Sequence, residues 1–467
     1  MQLTGRREIT TPYMAVTRDN LIPILNSALP IYVENARQIE YLEGYVRGRQ
    51  PILGRTKKIR PEICNRIVEN HALEIASFHS GYFLGEPLTY VSRGAREGVT
   101  EEVARLNDIL VDAGKPTYDK RLATDMAVCG VGYRMIAPAR EADELIELDV
   151  IKPENAFVVY HSGFGHYPLL GAVLSVRLVD DKPTDIISGY TADFFFEVSR
   201  GEKLQILTWE PHLLGEVPIY EYRLNSQMMG SFEPAIPLLD AINNIQSNRT
   251  DGVEQFVQHF LKFVNCDIED DRIKTLHELG AIVIKSFEGH PGDVEIVSQE
   301  LDQQQTQTLV DWLYDQALNV CGMPTNRKGG TSTSDTGKAV FLRDGWSQCE
   351  TRAQDAEALF KLSERRFLKT VLNIAAQREV DFGLGQLAAR EVGIKFTRRQ
   401  YDNLLTKTQS LLHMLEAGIH PSIAFAQCGL FNDPADVYEQ SRDYLRKWDY
   451  EDASAIALPA VEVENDA

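Results

Sequence analysis

The residues with the clearest chemical potential lie in a glycine-rich stretch that ends in Gly337-Lys338. A loop that cradles nucleotide phosphates requires the spacing GxxxxGK followed by Ser or Thr, and it follows a buried strand. Here Ser332 takes the place of the first glycine, and Ala339 takes that of the Mg²⁺-binding hydroxyl. The residues before the stretch show a helical pattern rather than a strand pattern. The composition therefore indicates a flexible connection between two helices.

Other residue types that bind metals or carry out catalysis are scattered along the chain. The six cysteines form no CxxC pair and lie near no histidine cluster, which predicts free thiols. The HExxH and GxSxG signatures are absent. Adjacent acids such as Glu101-Glu102 fit a solvent-exposed face. We therefore expect no enzymatic activity, no metal and no cofactor.

The charge balance limits the ways in which this protein can handle nucleic acid. The formal net charge is -20 over 467 residues. Tight wrapping of DNA needs a surplus of Lys and Arg, so the balance predicts a surface past which DNA slides. A basic run from Arg47 to Arg60 is interpreted as a solvated loop. No stretch of about 18 apolar residues occurs, so we expect no membrane span.

The elements that would position these residues fall into successive blocks. Apolar spacing predicts helices at about 20–43, 62–83, 101–112 and 118–129. Short β-type runs between 131 and 222, separated by turns, predict an antiparallel, hairpin-rich sheet. Long helices follow at about 234–263, 302–320 and 338–378. Between the first two of them, an insertion at 265–301 carries predicted strands near 281–286 and 294–297. After the long helices, a last strand is predicted near 394–396. The chain then continues with predicted helices at 399–417, 421–429 and 434–447.

Two further segments have an unusual composition. The middle of the first long helix, 243–249, is unusually polar, which predicts contacts with another domain or with copies of the same helix. The residues after Trp448 carry acids and no bases, so the end of the chain is predicted to be disordered.

Seven short motifs, in this order over about residues 20–400, resemble those of the portal proteins of tailed double-stranded DNA bacteriophages. The resemblance departs from the family at Asp335-Thr336, where a second serine is usual, and in the C-terminal region. The residues that carry it are Tyr41-Leu-Glu-Gly-Tyr45 with Pro51-Ile-Leu; Gly81-Tyr-Phe-Leu-Gly-Glu-Pro-Leu-Thr-Tyr90; Gly130-Val-Gly-Tyr133; Pro153 with Val158-Val-Tyr160; Leu214-Gly-Glu-Val-Pro-Ile-Tyr-Glu-Tyr222; Leu238-Leu-Asp-Ala-Ile-Asn243 with Ser247; and Ser334-Asp-Thr-Gly-Lys-Ala339.

The resemblance implies an α+β, mainly helical portal fold that assembles as a ring, with a part for each segment. The wing would be 1–233. The stem would consist of helices 234–264 and 302–322, with the clip at 265–301 between them. The tunnel-loop region would be 323–337, the long kinked helix and return strand of the wing 338–398, the crown helices 399–447, and the acidic disordered tail 448–467.

The resemblance also implies a function. The family forms a dodecameric conduit at one capsid vertex, through which double-stranded DNA is packaged and ejected. The ring would assemble in the host cytoplasm and remain in the virion. Its partners would be the large terminase subunit, an adaptor or head-completion protein, and the major capsid and scaffolding proteins. The residues expected to touch DNA are Arg327, Lys328 and Lys338, and the partner-facing clip acids are Asp267, Glu269, Asp270 and Asp271.

Two other functions compete with this hypothesis. One is a phosphate-handling packaging enzyme that uses the Gly337-Lys338 loop. The other is a tail-ring or scaffold protein that never contacts DNA. Rings with a central hole of DNA width would favour the conduit, whereas a monomer that binds ATP would favour the enzyme.

Overall fold

A computed structural model describes residues 5–58, 61–93, 96, 98–179, 182–257, 260–264, 293–297, 303–324, 346–398, 404–431 and 434–445. Helices and strands are mixed, so the α+β prediction is confirmed. The chain divides into two compact units. The first consists of Met1–Arg47, Ala72–Pro234 and Cys321–Ala467, and the second of Gly48–His71 and Ala235–Val320.

The elements of the described residues are as follows in chain order. They are β1 (Ile9–Thr11), α1 (Leu21–Val46), α2 (His71–Phe83), β2 (Thr89–Ser92), α3 (Val99–Asp112), α4 (Lys115–Cys129), β3 (Val131–Pro138), β4 (Ile146–Ile151), β5 (Ala156–His161), β6 (Pro168–Val179), β7 (Lys182–Tyr190), β8 (Phe194–Arg200), β9 (Leu204–Pro211), β10 (Ile219–Arg223), α5 (Ile236–Val257), β11 (Phe260–Val264), β12 (Asp293–Val297), α6 (Gln303–Cys321), α7 (Trp346–Gln377), β13 (Val392–Lys395), α8 (Leu404–Glu416), α9 (Pro421–Gln427) and α10 (Pro434–Ser441).

A six-stranded sheet in the first unit has the order β1-β5-β6-β7-β8-β9. Consecutive strands from β5 to β9 pair antiparallel through hairpins, as the sequence predicted, and only β1 runs parallel to its neighbour. Helix α1 buries its apolar side in the same core as the inward side chains of the sheet. Phe157 and Tyr32 of that core have ring centroids 4.9 Å apart.

A second core of the first unit gathers around α7. Phe360, Phe367 and Val371 of this helix are fully buried among side chains of α3, α4 and the three-stranded sheet β10-β3-β4. Strand β13 pairs antiparallel with β2, so the predicted strand near 394–396 returns to residues far earlier in the chain. Helix α7 thus packs on α3 and α4, which precede it by more than 200 residues in the sequence.

Two glycines fix the sharp passage from α4 to β3. Gly130 ends α4 with a φ of +79°, and a Cβ there would lie 2.1 Å from the carbonyl oxygen of Met228. A Cβ on Gly132 would lie 2.7 Å from the side chain of Leu122. Because no larger residue fits either position, packing explains the Gly130-Val-Gly132 motif.

In the second unit, α5 and α6 flank the antiparallel pair β11–β12. The guanidinium Nη1 of Arg249 on α5 donates to the side-chain oxygen of Gln307 on α6 over 2.6 Å. Residues Gly48–His71, which we call the strap, belong to this unit and lie along α5.

Two predicted helix boundaries were wrong, and two strands were missed. The helix expected at 62–83 begins only at His71, because alternate backbone N–H groups before it bind side chains of α5. The first long helix ends at Val257, and the residues that follow form β11 instead. Their apolar spacing fits either a helix or a strand, and pairing with β12 decides between them. Strands β1 and β4 were not predicted.

Several predictions lie outside the described residues. They are the strand near 281–286, the start of the third long helix at 338–345, and the acidic tail after residue 448. Among the described residues, no helix is both long and apolar enough to cross a membrane.

Candidate functional site

All seven residues predicted to touch DNA or a partner lie outside the described residues. They are Arg327, Lys328 and Lys338 in the segment 325–345, and Asp267, Glu269, Asp270 and Asp271 in the segment 265–292. The structure does describe the residues on either side of each segment, and these are its attachment points.

The segment 265–292 begins and ends at two paired strands. Val264, the last residue of β11, pairs with Asp293, the first residue of β12. The residues on either side of the insertion therefore lie at adjacent positions.

The start of the segment 325–345 is attached to α2. The ring nitrogen Nε2 of His79 lies 3.0 Å from the carbonyl oxygen of Cys321. Burial lowers the pKa of His79 to about 4, so the ring is neutral near pH 7 and its Nε2–H donates to that carbonyl. Gly322 follows with a φ of +69°, and a Cβ there would lie 2.5 Å from Nε of Arg352. The turn therefore requires glycine.

The end of the same segment is attached to the same helix. The indole ring of Trp346 lies 5.8 Å from the ring of Phe78 and 5.9 Å from that of Tyr82. The Tyr82 hydroxyl donates to Glu350 of α7 over 2.7 Å. Since Phe78, His79 and Tyr82 lie within about one helical turn, a single turn of α2 holds both ends of the segment that contains the predicted DNA-contacting bases.

Four charged side chains form a buried cluster beneath α7. The Nζ of Lys115 lies 2.7 Å from Asp119 and 3.0 Å from Glu364, and Nη1 of Arg134 lies 3.1 Å from Glu364. Nη2 of Arg134 also pairs with Asp119. Each side chain is at most 5% exposed. Two cations balance two anions, so the cluster is neutral as a whole.

Two tyrosines complete this cluster. The hydroxyl of Tyr222 donates to Glu364 over 2.7 Å, and Tyr90 donates to the other oxygen of the same carboxylate. Burial alone would raise the pKa of Glu364, but Lys115 and Arg134 together with these hydrogen bonds lower it to about 2. The carboxylate therefore stays charged at any ordinary pH and fixes α7 against α4, β2, β3 and β10.

Sequence reasoning missed this cluster, although a signal was present. Glu364 falls at helical spacing between Phe360, Phe367 and Val371 on the buried side of α7. A carboxylate in an apolar stripe requires a buried partner. The i,i+4 pair Lys115 and Asp119 was a second signal.

The polar face of α5 is occupied by the strap. Asn243, Ser247 and Asp251 are spaced one turn apart and are at most 2% exposed. Their side-chain oxygens accept the backbone N–H groups of three alternate strap residues over 2.7 to 2.9 Å. The donors are Glu69 to Asn243, Ile67 to Ser247, and Asn65 to Asp251. The polar residues of this helix thus bind the strap of their own unit. The sequence had predicted that they contact another domain or copies of the same helix.

The strap passes α5 twice. Nη1 of Arg55 lies 3.0 Å from the carboxylate of Asp251, and Lys57 pairs with the same carboxylate. Two members of the basic run 47–60 therefore neutralise a buried acid, so the prediction of a solvated loop is wrong for them. The segment 65–69 then returns along the helix in the opposite direction.

A third group of acids lies between α1 and α4. Burial, with smaller contributions from Glu43 and Glu154, raises the pKa of Asp125 to about 7 against the opposing effect of Arg121. One carboxylate oxygen of Asp125 is buried without a hydrogen-bond partner. Among the described residues, no group of three His, Cys, Asp or Glu side chains could hold a metal ion. Burial therefore favours the protonated form of Asp125 below about pH 7.

Comparison with known proteins gives the family. No curated protein matches the chain. A family model described as phage portal protein, SPP1 Gp6-like, matches residues 28–454, which is most of the chain. The portal family is structural and is not known as an enzyme family. The chain therefore belongs to the SPP1 Gp6-like family of phage portal proteins, and it functions as a phage portal protein.

Proposed function

We propose that this chain assembles as a dodecameric ring at one capsid vertex and forms the conduit for packaging and ejection of double-stranded DNA. The observation that carries the proposal is the family match over residues 28–454. The net charge of -20 supports it, because an acidic wall repels phosphates and lets DNA slide. The ring assembles in the host cytoplasm and stays in the virion.

We assign the parts of the portal to segments of the chain. Residues 1–233 form the wing, 234–264 and 302–322 the stem, 265–301 the clip, 338–398 the long helix and return strand, and 399–447 the crown. Two features support the stem and clip. Helices α5 and α6 flank the insertion, and β11 and β12 bring its two ends together.

We place the contact with DNA in the tunnel-loop region. Arg327, Lys328 and Lys338 supply positive charge in a segment rich in Gly, Ser and Thr. Both ends of this segment are attached to one turn of α2, through His79 and through the rings around Trp346. The described residues on either side of this segment thus contact the same helix.

We place the partner contacts at the clip and the wing. The acids Asp267, Glu269, Asp270 and Asp271 give the clip a negative surface that suits basic patches on the large terminase subunit and later on an adaptor or head-completion protein. The wing meets the major capsid and scaffolding proteins. No cofactor and no catalytic residue takes part in this function.

The test of the proposed function is the assembly state of the purified full-length chain. Negative-stain images are expected to show rings with a central hole of about 20 Å, the width that DNA requires. Mass photometry should give the mass of about twelve copies. A monomer under all assembly conditions, or a monomer that binds ATP, would overturn the proposal.

A further inference from the structure

Helix α6 carries a tryptophan on the side that faces away from its own unit. Val310 is 5% exposed, whereas Trp312 is 56% exposed. Two residues correspond to about 200° around a helix, so these side chains point in nearly opposite directions. Leu309 and Val320, which are also largely exposed, extend the apolar surface beside Trp312. A half-exposed tryptophan is typical of an interface anchor.

Two acids border this apolar surface. Asp311 and Asp315 are exposed and lie one turn apart on α6. Neither forms an ion pair with any residue that the structure describes, although Asp311 accepts a hydrogen bond from Gln307 over 2.7 Å. The exposed side of α6 therefore combines apolar area with negative charge.

The strap combines exposed positive charge with apolar area, and it is therefore complementary to the exposed side of α6. Arg49, Lys58 and Arg66 are exposed, and none of them has an ion-pair partner within the described part of the chain. Leu53, at 44% exposure, adds apolar area. Arg55 and Lys57 share one anion, because both pair with Asp251, so these three groups together add one positive charge to the strap.

The two surfaces cannot meet within one unit. The rings of His71, at the end of the strap, and Tyr314 of α6 lie 4.5 Å apart. Tyr314 is two residues from Trp312, so the strap contacts α6 on the side opposite to the tryptophan. Within the second unit, therefore, neither surface covers the other.

We propose that the Trp312 side of α6 in one copy packs on the strap of a second copy of this chain. This inference rests on the proposed ring. A cyclic ring requires two different, complementary surfaces on every subunit, because each copy contacts its two neighbours differently. Trp312, Leu309 and Leu53 supply the buried centre, and the acids pair with Arg49, Lys58 and Arg66 at the rim.

The test is charge reversal with rescue in the full-length chain. The variant D311K/D315K and the variant R49E/K58E/R66E are each expected to lower the fraction of chain in rings about tenfold. The variant that combines all five changes is expected to recover most of the rings. In it both surfaces have the reversed charge, so they again attract each other. Mass photometry measures the ring fraction, and circular dichroism confirms that the variants are folded.

Matched controls and a second variant make the outcome decisive. R140E and D149K reverse exposed charges of the first unit and are expected to leave the ring fraction unchanged. W312A is expected to lower assembly while the melting temperature of the unassembled chain stays the same. Wild-type ring fractions in all variants would overturn this inference and leave the portal function intact. Rings that persist in R49E/K58E/R66E but lose retained DNA would assign the strap to nucleic acid instead.

Discussion

The guanidinium of Arg134 on β3 lies 3.1 Å from the carboxylate of Glu364 on α7, and neither side chain is exposed to solvent. The rings of Tyr222 and Phe367 lie 5.0 and 5.2 Å from the same guanidinium. If the two side chains moved apart, each would remain as an unpaired charge in the protein interior, which is strongly unfavourable. The pair therefore fixes the position of the long helix on the sheet.

Replacement of Glu364 tests the importance of this cluster for stability. Glu364→Gln leaves Lys115 and Arg134 with Asp119 as their only anion in the cluster, so we expect a loss of about 3–5 kcal/mol in the free energy of unfolding. Urea denaturation of the unassembled chain measures it. The exposed Asp355→Asn on the same helix is the control and should change stability by less than about 0.5 kcal/mol. A loss below about 1 kcal/mol in E364Q would mean that the surrounding packing, rather than the charges, holds α7.

Two adjacent asparagines of α5 provide a test variant and a matched control for the attachment of the strap. Asn243→Ala removes the acceptor of the Glu69 backbone N–H, so we expect a loss of about 1–3 kcal/mol and faster hydrogen exchange at residues 65–69. Asn244 is exposed, and among the described residues its side chain bonds only to its own helix, at the carbonyl oxygen of Asp240. Asn244→Ala should therefore leave the exchange rates of the strap unchanged. Equal exchange in both variants would contradict a role for Asn243 in holding the strap.

The buried acid between α1 and α4 predicts a dependence of stability on pH. The pKa of Asp125 is about 7 in the folded chain and near 4 when unfolded. Between these values the folded state binds a proton that the unfolded state lacks, so the stability contributed by this group falls as pH rises. Asp125→Asn mimics the protonated form.

We therefore expect D125N and wild type to melt at similar temperatures near pH 5, and D125N to melt at least about 2 °C higher near pH 8. Asp149→Asn is the control, because Asp149 is 71% exposed. A difference that does not grow with pH would show that Asp125 is ionised across the whole range.

The proposed contact with DNA can be tested without disturbing the ring. The variant R327A/K328A/K338A is expected to form rings as wild type does and to package DNA in vitro several-fold more slowly, with a weaker dependence on salt. The control is Arg140→Ala, which removes an exposed base from the first unit. Packaging and retention at wild-type levels would remove these three residues from the mechanism.

The elements that the sequence predicted well are those with a strong internal period. The hairpins from β5 to β9 alternate with clear turns, and α6 and α7 keep a helical stripe of apolar residues. The first part of the helix expected at 62–83 was wrong. Ile63 and Ile67 fit helical spacing, but the backbone N–H groups of Asn65, Ile67 and Glu69 bind side chains of α5. The strand β4 was missed although its apolar and charged residues alternate, a pattern that is typical of a half-buried strand.

The candidate site was harder to predict, because its parts are distant in sequence. Nothing local to His79 indicates that it meets Cys321, which lies 242 residues away. Arg134 and Glu364 are separated by 230 residues. A charged residue in an apolar stripe indicates that a partner exists, but only the folded chain shows which one.

The contact between the strap and α5 also limits how these two segments can change length. Four residues of helix rise about 6.0 Å, and two residues of extended chain rise about 6.6 Å. Three successive hydrogen bonds tolerate this mismatch, but a longer series would drift out of register. The series ends where Leu239 takes the next position on the helix. Inserting one residue into 65–69 or into 243–251 would move every donor away from its acceptor, so deletions and insertions in related chains should avoid both segments.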